Sequence, residues 1–113
     1  MEINKEYELL ESLTLELRRG TIILGVLSQL NKPQYGYSLV SLLQEKGMKV
    51  DASTLYPLLR RLEKQGILLS VWDTEGTKPR KYYEMSDIGK GLYLKLCDTW
   101  KEINDTMKHL IEK

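Results

Sequence analysis

The segment from Asp51 to Gly66, DASTLYPLLRRLEKQG, constrains the fold of this chain more than any other. It opens on residues that cap helices, places leucines at 55, 58, 59 and 62, and ends on a glycine, which predicts an amphipathic helix with both ends marked. At 100° per residue, Leu58, Leu59 and Leu62 fall within about 60° of Leu55, while Ser53, Pro57, Arg60 and Lys64 fall on the opposite side. One face must be buried. The other presents hydroxyls first and cations later, with Tyr56 and Arg61 flanking it. Such a face suits a groove with phosphate walls and a hydrogen-bonding floor, although a run such as Arg-Arg-Leu-Glu-Lys is most often only a solvated surface. Pro57 leaves two N-caps open: Ser53 would cost only the first intrahelical bond, whereas Asp51 would place the missing amide a turn later, with a bend.

The chain before this helix reads as three further elements. Ile3, Tyr7, Leu10, Leu13 and Leu17 form one apolar stripe on a helix that otherwise carries Glu2, Lys5, Glu6, Glu8 and Glu11. Thr21 to Leu30 is apolar on nearly every side, as expected of a buried central helix, and Gly20 either separates the two or lies inside one long helix. Asn31 to Gly36 reads as a turn, and a second short helix begins at Tyr37 or Ser38 with Leu39, Leu42 and Leu43 inward, ending near Gly47. That helix, its glycine turn and the Asp51–Gly66 helix make a helix-turn-helix.

Beyond Gly66 the period changes to two. Ile67 to Asp73 and Arg80 to Met85 alternate like strands around the turn residues 74–79, which predicts a β-hairpin whose returning limb is basic through Lys78, Arg80 and Lys81. Following a helix-turn-helix, such a hairpin is a wing; standing alone, it would be read as an edge kept from aggregating by its lysines. Ser86 or Asp87 can cap a last helix, along which Ile88, Leu92, Leu96, Trp100, Ile103, Met107 and Leu110 run down one side. With Tyr93 and Ile111 this stripe spans about 140°, more than a small domain can cover, which implies pairing with a second copy. The N-terminal helix packs either on its own domain or on that partner.

The 113 residues suit one domain, and a net charge of +1 gives no global argument for nucleic acid. The distribution is more informative. Residues 1–31 carry three basic and five acidic groups, net −2, whereas residues 32–66 carry six basic and three acidic, net +3. A single cysteine, Cys97, excludes an internal disulfide, and no apolar run approaches the roughly 18 residues of a membrane span, so a cytoplasmic protein is expected. Neither Cys97 nor the lone His109 has a second ligand or base at a recognisable spacing, Asp73 and Glu75 are flanked by lysines as solvated turn residues are, and no phosphate-cradling glycine loop occurs. No enzyme, metal or cofactor is expected.

Taken together, Leu17-Arg18-Arg19-Gly20, Tyr35-Gly36-Tyr37, Thr54-Leu55-Tyr56-Pro57-Leu58-Leu59-Arg60-Arg61-Leu62-Glu63, Gly66 and Pro79-Arg80-Lys81-Tyr82-Tyr83 resemble the PadR family of bacterial transcriptional regulators, over residues 15 to 113. The resemblance implies a mainly α winged helix-turn-helix, dimerisation through the C-terminal helix, and binding to inverted-repeat operators as a repressor released by a small molecule. Three segments are expected: an N-terminal helix over 1–16, the DNA-binding domain over 17–86 and a dimerisation helix over 87–113. The candidate DNA contacts are Tyr37, Ser38, Ser53, Thr54, Tyr56, Arg60, Lys64, Lys78, Arg80 and Lys81; the candidate dimer contacts are Leu92, Leu96, Trp100, Ile103, Met107 and Leu110. Trp100 is further expected to line a site for a flat aromatic effector, as paired tryptophans do in some small PadR-like regulators. The competing function is a winged-helix module that binds protein, which would be expected to present apolar anchors where this helix presents Ser53, Tyr56, Arg60 and Lys64.

Overall fold

The leucines of the Asp51–Gly66 segment form the centre of the core. A computed structural model of the chain describes residues 2–112, with side chains from residue 4 onward, so the expectation for the Ile3 side chain lies outside the described residues. The element order is α1 (Glu2–Arg19), α2 (Ile22–Ser28), β1 (Gln34–Tyr35), α3 (Gly36–Glu45), α4 (Ala52–Lys64), β2 (Leu68–Asp73), β3 (Arg80–Met85) and α5 (Asp87–Ile111). Leu55, Leu59 and Leu62 of α4 are buried together with Val26 and Leu27 of α2, Leu30, Leu39 and Leu43 of α3, Val50, Leu68 of β2, and Tyr83 and Met85 of β3. Leu58 packs against this cluster from its edge.

Several boundaries differ from the sequence reading, each for a local reason. Asp51 is the N-cap of α4: the Thr54 amide donates to its Oδ1 (3.0 Å), and so does the Ser53 hydroxyl (2.6 Å). These bonds hold the Asp51 carboxyl below the usual range, the Ser53 hydroxyl contributing most. Pro57 therefore sits inside a continuous helix, and Ser53, whose carbonyl its missing amide would have met, is an exposed residue. Gly20 does separate α1 from α2, and α2 is shorter than Thr21–Leu30, with only Val26 and Leu27 buried within it. The helix α3 starts earlier than Tyr37, at Gly36, because Gln34 and Tyr35 do not form part of a turn. They pair antiparallel with Tyr83 and Tyr82, so the expected hairpin is a three-stranded sheet of order β1-β3-β2.

Both helix-to-next-element turns use the same device. Gly47 (φ 95°) and Gly66 (φ 79°) take the left-handed conformation that ends a helix, with Met48 N–H donating to the Leu43 carbonyl (2.9 Å) and Ile67 N–H to the Leu62 carbonyl (2.9 Å). Ser86 caps α5: its Oγ accepts from the Gly89 amide (3.0 Å) while its hydroxyl donates to the Gly66 carbonyl (2.6 Å), tying the start of α5 to the end of α4. Gly89 faces the Ile67 carbonyl so closely that a Cβ would overlap it.

The two long helices lie largely outside this core. Within α5 only Gly89 is buried, and Leu10, Leu13 and Leu17 of α1 and Leu92, Leu96, Trp100, Ile103, Met107 and Leu110 of α5 are all exposed. The radius of gyration is 17.0 Å, against about 13 Å expected for a compact chain of this length. The accessible surface is 8897 Å², roughly 2,500 Å² more than a globular monomer of this mass exposes.

Candidate nucleic-acid interface

Between the start of α3, the outer face of α4 and the wing lies a cleft of about 420 Å³ lined by Tyr35, Gly36, Tyr37, Tyr56, Arg60, Trp72, Pro79, Arg80, Lys81 and Tyr83. Its lining holds three cations and no carboxylate. Five of the expected contact residues, Tyr37, Tyr56, Arg60, Arg80 and Lys81, thus come together from three separate elements, α3, α4 and β3. Ser53, Thr54 and Lys64 are exposed along α4 outside the cleft, Lys78 is exposed at the wing turn, and Ser38 is half-buried. Tyr56 takes its place because Gly36 has no side chain: a Cβ there would collide with the Tyr56 ring.

The wing side of the cleft is built on stacked tyrosines. The Tyr35 ring lies 4.2 Å from Tyr82 and 5.9 Å from Tyr37, centroid to centroid, both near parallel, and the Arg80 guanidinium lies 5.3 Å over Tyr35. The Tyr35 hydroxyl is 2.6 Å from that of Tyr82 and 3.1 Å from Asp73 Oδ2. Its pKa is pushed up to about 12, chiefly by the bond to Tyr82, then by burial and Asp73. The Asp73 carboxyl is held low by the Glu75 amide first and the Tyr35 hydroxyl second. In the sequence Asp73 read as a solvated turn residue, and Tyr35 and Tyr82 stood in the motifs of the family resemblance without being named as site residues. Their link joins residues 38 and 47 positions apart, for which neither periodicity nor motif gives a signal.

Lys81 is placed differently from the other cations. Its ammonium lies 3.0 Å from Glu63 Oε1 on α4 and 5.2 Å from the centre of the Tyr83 ring, and the second Glu63 oxygen accepts from the Ser70 hydroxyl of β2. The Glu63 carboxyl is lowered by Ser70 first and Lys81 second, and Lys81 is raised, mainly by Glu63. No group of three or more His, Cys, Asp or Glu among the described residues could hold a metal ion, and no described helix is long and apolar enough to cross a membrane.

A helix-turn-helix closed by a three-stranded sheet, with a basic cleft between its second helix and its wing, defines a winged-helix protein. The model of the transcriptional regulator PadR-like family matches residues 23–94, so the chain belongs to that family and is a transcription regulator. It is similar to the crystal structure of a PadR family transcriptional regulator from Eggerthella lenta, with 46% identity, a TM-score of 0.90 and coverage of 96% of this chain and 97% of that one. A PadR-like transcription factor from Bacteroides fragilis is 32% identical, with a TM-score of 0.71 over 88% of this chain and 98% of that one. An uncharacterised protein of Lysinibacillus sphaericus is 28% identical over 87 residues, which is 74% of this chain and 80% of that protein.

Proposed function

We propose that this regulator is a sequence-specific repressor that binds double-stranded DNA as a homodimer on an inverted-repeat operator. The observation that carries the reading is the cleft itself, where Arg60, Arg80, Tyr37 and Tyr56 converge beside the exposed outer face of α4. In this reading residues 17–86 form the DNA-binding unit. Ser53, Thr54 and Tyr56 reach base edges in the major groove, Arg60 and Lys64 contact the adjoining phosphates, and Lys78 and Arg80 hold the backbone from the wing. Tyr37 and Ser38, at the start of α3, meet the phosphate strand on the other side of the cleft.

Residues 87–113 supply the dimer through Leu92, Leu96, Trp100, Ile103, Met107 and Leu110, with the N-terminal segment 1–16 beside them. The test of the DNA reading is selection of bound duplexes from a random pool. Two half-sites about one helical turn apart, in inverted orientation, are expected to be enriched. Recovery of no preferred duplex would instead favour a winged-helix protein-interaction module.

The repressor reading includes release by a flat aromatic effector beside Trp100, which is 45% exposed on the α5 stripe. An effector releases DNA only if it binds the non-operator geometry more tightly. In Trp72→Phe the Trp100 indole is the single tryptophan, and its fluorescence is expected to be quenched by a planar aromatic compound that also weakens operator binding. Titration of a panel without quenching, in an intact dimer, would remove the site.

A further inference from the structure

Glu63 is the acidic side chain that touches the wing from α4, and both of its oxygens are occupied by wing residues: Oε1 by the Lys81 ammonium and Oε2 by the Ser70 hydroxyl. The β2–β3 register places Trp72 opposite Lys81 and Tyr83 opposite Ser70, so the two contacts sit on both strands and fix the wing against the last turn of α4. Lys78 and Arg80, on the same hairpin, are exposed, and neither lies in an ion pair among the described residues. Lys81 and Glu63 are 28% and 32% exposed, so a phosphate that approaches the ammonium meets a cation whose charge is already partly neutralised by a carboxylate in contact, and one of its three N–H donors is taken. The lowered Glu63 carboxyl keeps the pair charged throughout the neutral range.

We infer that Glu63 is a positioning residue that withholds Lys81 from DNA phosphates while orienting the wing, so that it limits non-specific affinity. This inference rests on the DNA-binding reading. A carboxylate beside a wing cation subtracts one phosphate contact per subunit from the sequence-independent term, which leaves base contacts a larger share of the total. Glu63→Gln separates the two roles, because the amide oxygen can still accept from Ser70 while the charge that holds Lys81 is gone.

The experiment compares the wild-type full chain, E63Q and the double variant E63Q/K81M in mobility-shift titrations on a selected duplex and a random duplex between 50 and 200 mM salt. One extra phosphate per subunit of a dimer steepens the slope of log affinity on log salt by about 1.8, so E63Q is expected to lose roughly tenfold more affinity than wild type across that range. At 50 mM salt E63Q should bind the random duplex more tightly, and the double variant should return to the wild-type slope. Weaker binding by E63Q with an unchanged slope would reduce Glu63 to a structural fastener. A steeper slope that persists in the double variant would show that another cation is responsible.

A second arm needs no DNA. Reductive methylation followed by mass spectrometry is expected to label Lys81 more slowly than Lys78 in wild type and at a similar rate in E63Q. Equal rates in wild type would overturn the withholding of Lys81. If wild type shifted no duplex, the DNA reading would fall on its own evidence, and the labelling would still decide whether Glu63 holds Lys81.

Discussion

Leu96→Asp is expected to give a monomer that keeps its winged-helix core and no longer shifts operator DNA. The core runs through α2, α3, α4 and the sheet, and α5 adds to it only near its start, through Gly89 and the edge packing of Tyr93. Beyond that point Leu96 (38% exposed), Trp100, Ile103 and Met107 lie at the surface of the single chain and outside its core. Full burial of such a side chain is worth roughly 1.5 to 3 kcal/mol, and these are about half exposed, so covering the four on both chains gains on the order of 6 to 12 kcal/mol before entropy is subtracted, comparable with a typical domain stability of about 5 to 15 kcal/mol. The excess surface of roughly 2,500 Å² per chain also falls in the range of permanent dimers. An aspartate within an apolar stripe that is buried between two chains must be desolvated without a partner for its charge. Light scattering should show the halved mass, and circular dichroism a partial loss of helix as the far half of α5 frays. A variant that stays dimeric, or a wild type that is monomeric at micromolar concentration, would refute the α5 interface.

The α4 helix was legible because its information is local. Leu55, Leu59 and Leu62 repeat at helical spacing, and all three are fully buried. The strands β2 and β3 were legible for the same reason, with the period changing to two at Ile67. What the sequence left open at Asp51 and Ser53 was a choice between two capping residues, settled by the backbone: Asp51 accepts and Ser53 donates to it. The strand β1 was missed because two residues carry no periodicity and their partners, Tyr82 and Tyr83, lie far along the chain.

The candidate site divides in the same way. The outer face of α4 could be read from angles alone, but not the stacking of Tyr35 on Tyr82 or the ion pair of Lys81 with Glu63. In sequence Lys81 is one of three cations in four residues. In space its neighbour is a carboxylate 18 residues earlier, brought there by the Schellman turn at Gly66 and the pairing of β2 with β3. Gly89 is a comparable case: only the approach of the Ile67 carbonyl shows why that position of α5 carries no side chain.

Operator affinity is expected to fall about 10³ to 10⁵-fold between 50 and 200 mM salt. A dimer presents Arg60, Lys64, Lys78 and Arg80 twice, and if each meets one phosphate the slope of log affinity on log salt is about −7; adding Lys81 in both subunits would make it about −9. The placement of Lys81 against Glu63 therefore favours the shallower value. Arg60→Ala should reduce the slope by about two per dimer and weaken all duplexes nearly equally. Tyr56→Phe should leave the slope alone and change which operators are preferred, since the ring stays against Gly36 while the hydroxyl is lost. It is a cleaner probe than Ser53→Ala, which also removes a donor to Asp51 and so disturbs the cap of α4. A slope shallower than about −3 would count against phosphate-led binding, and a Tyr56→Phe protein that weakens every duplex alike would remove Tyr56 from base recognition.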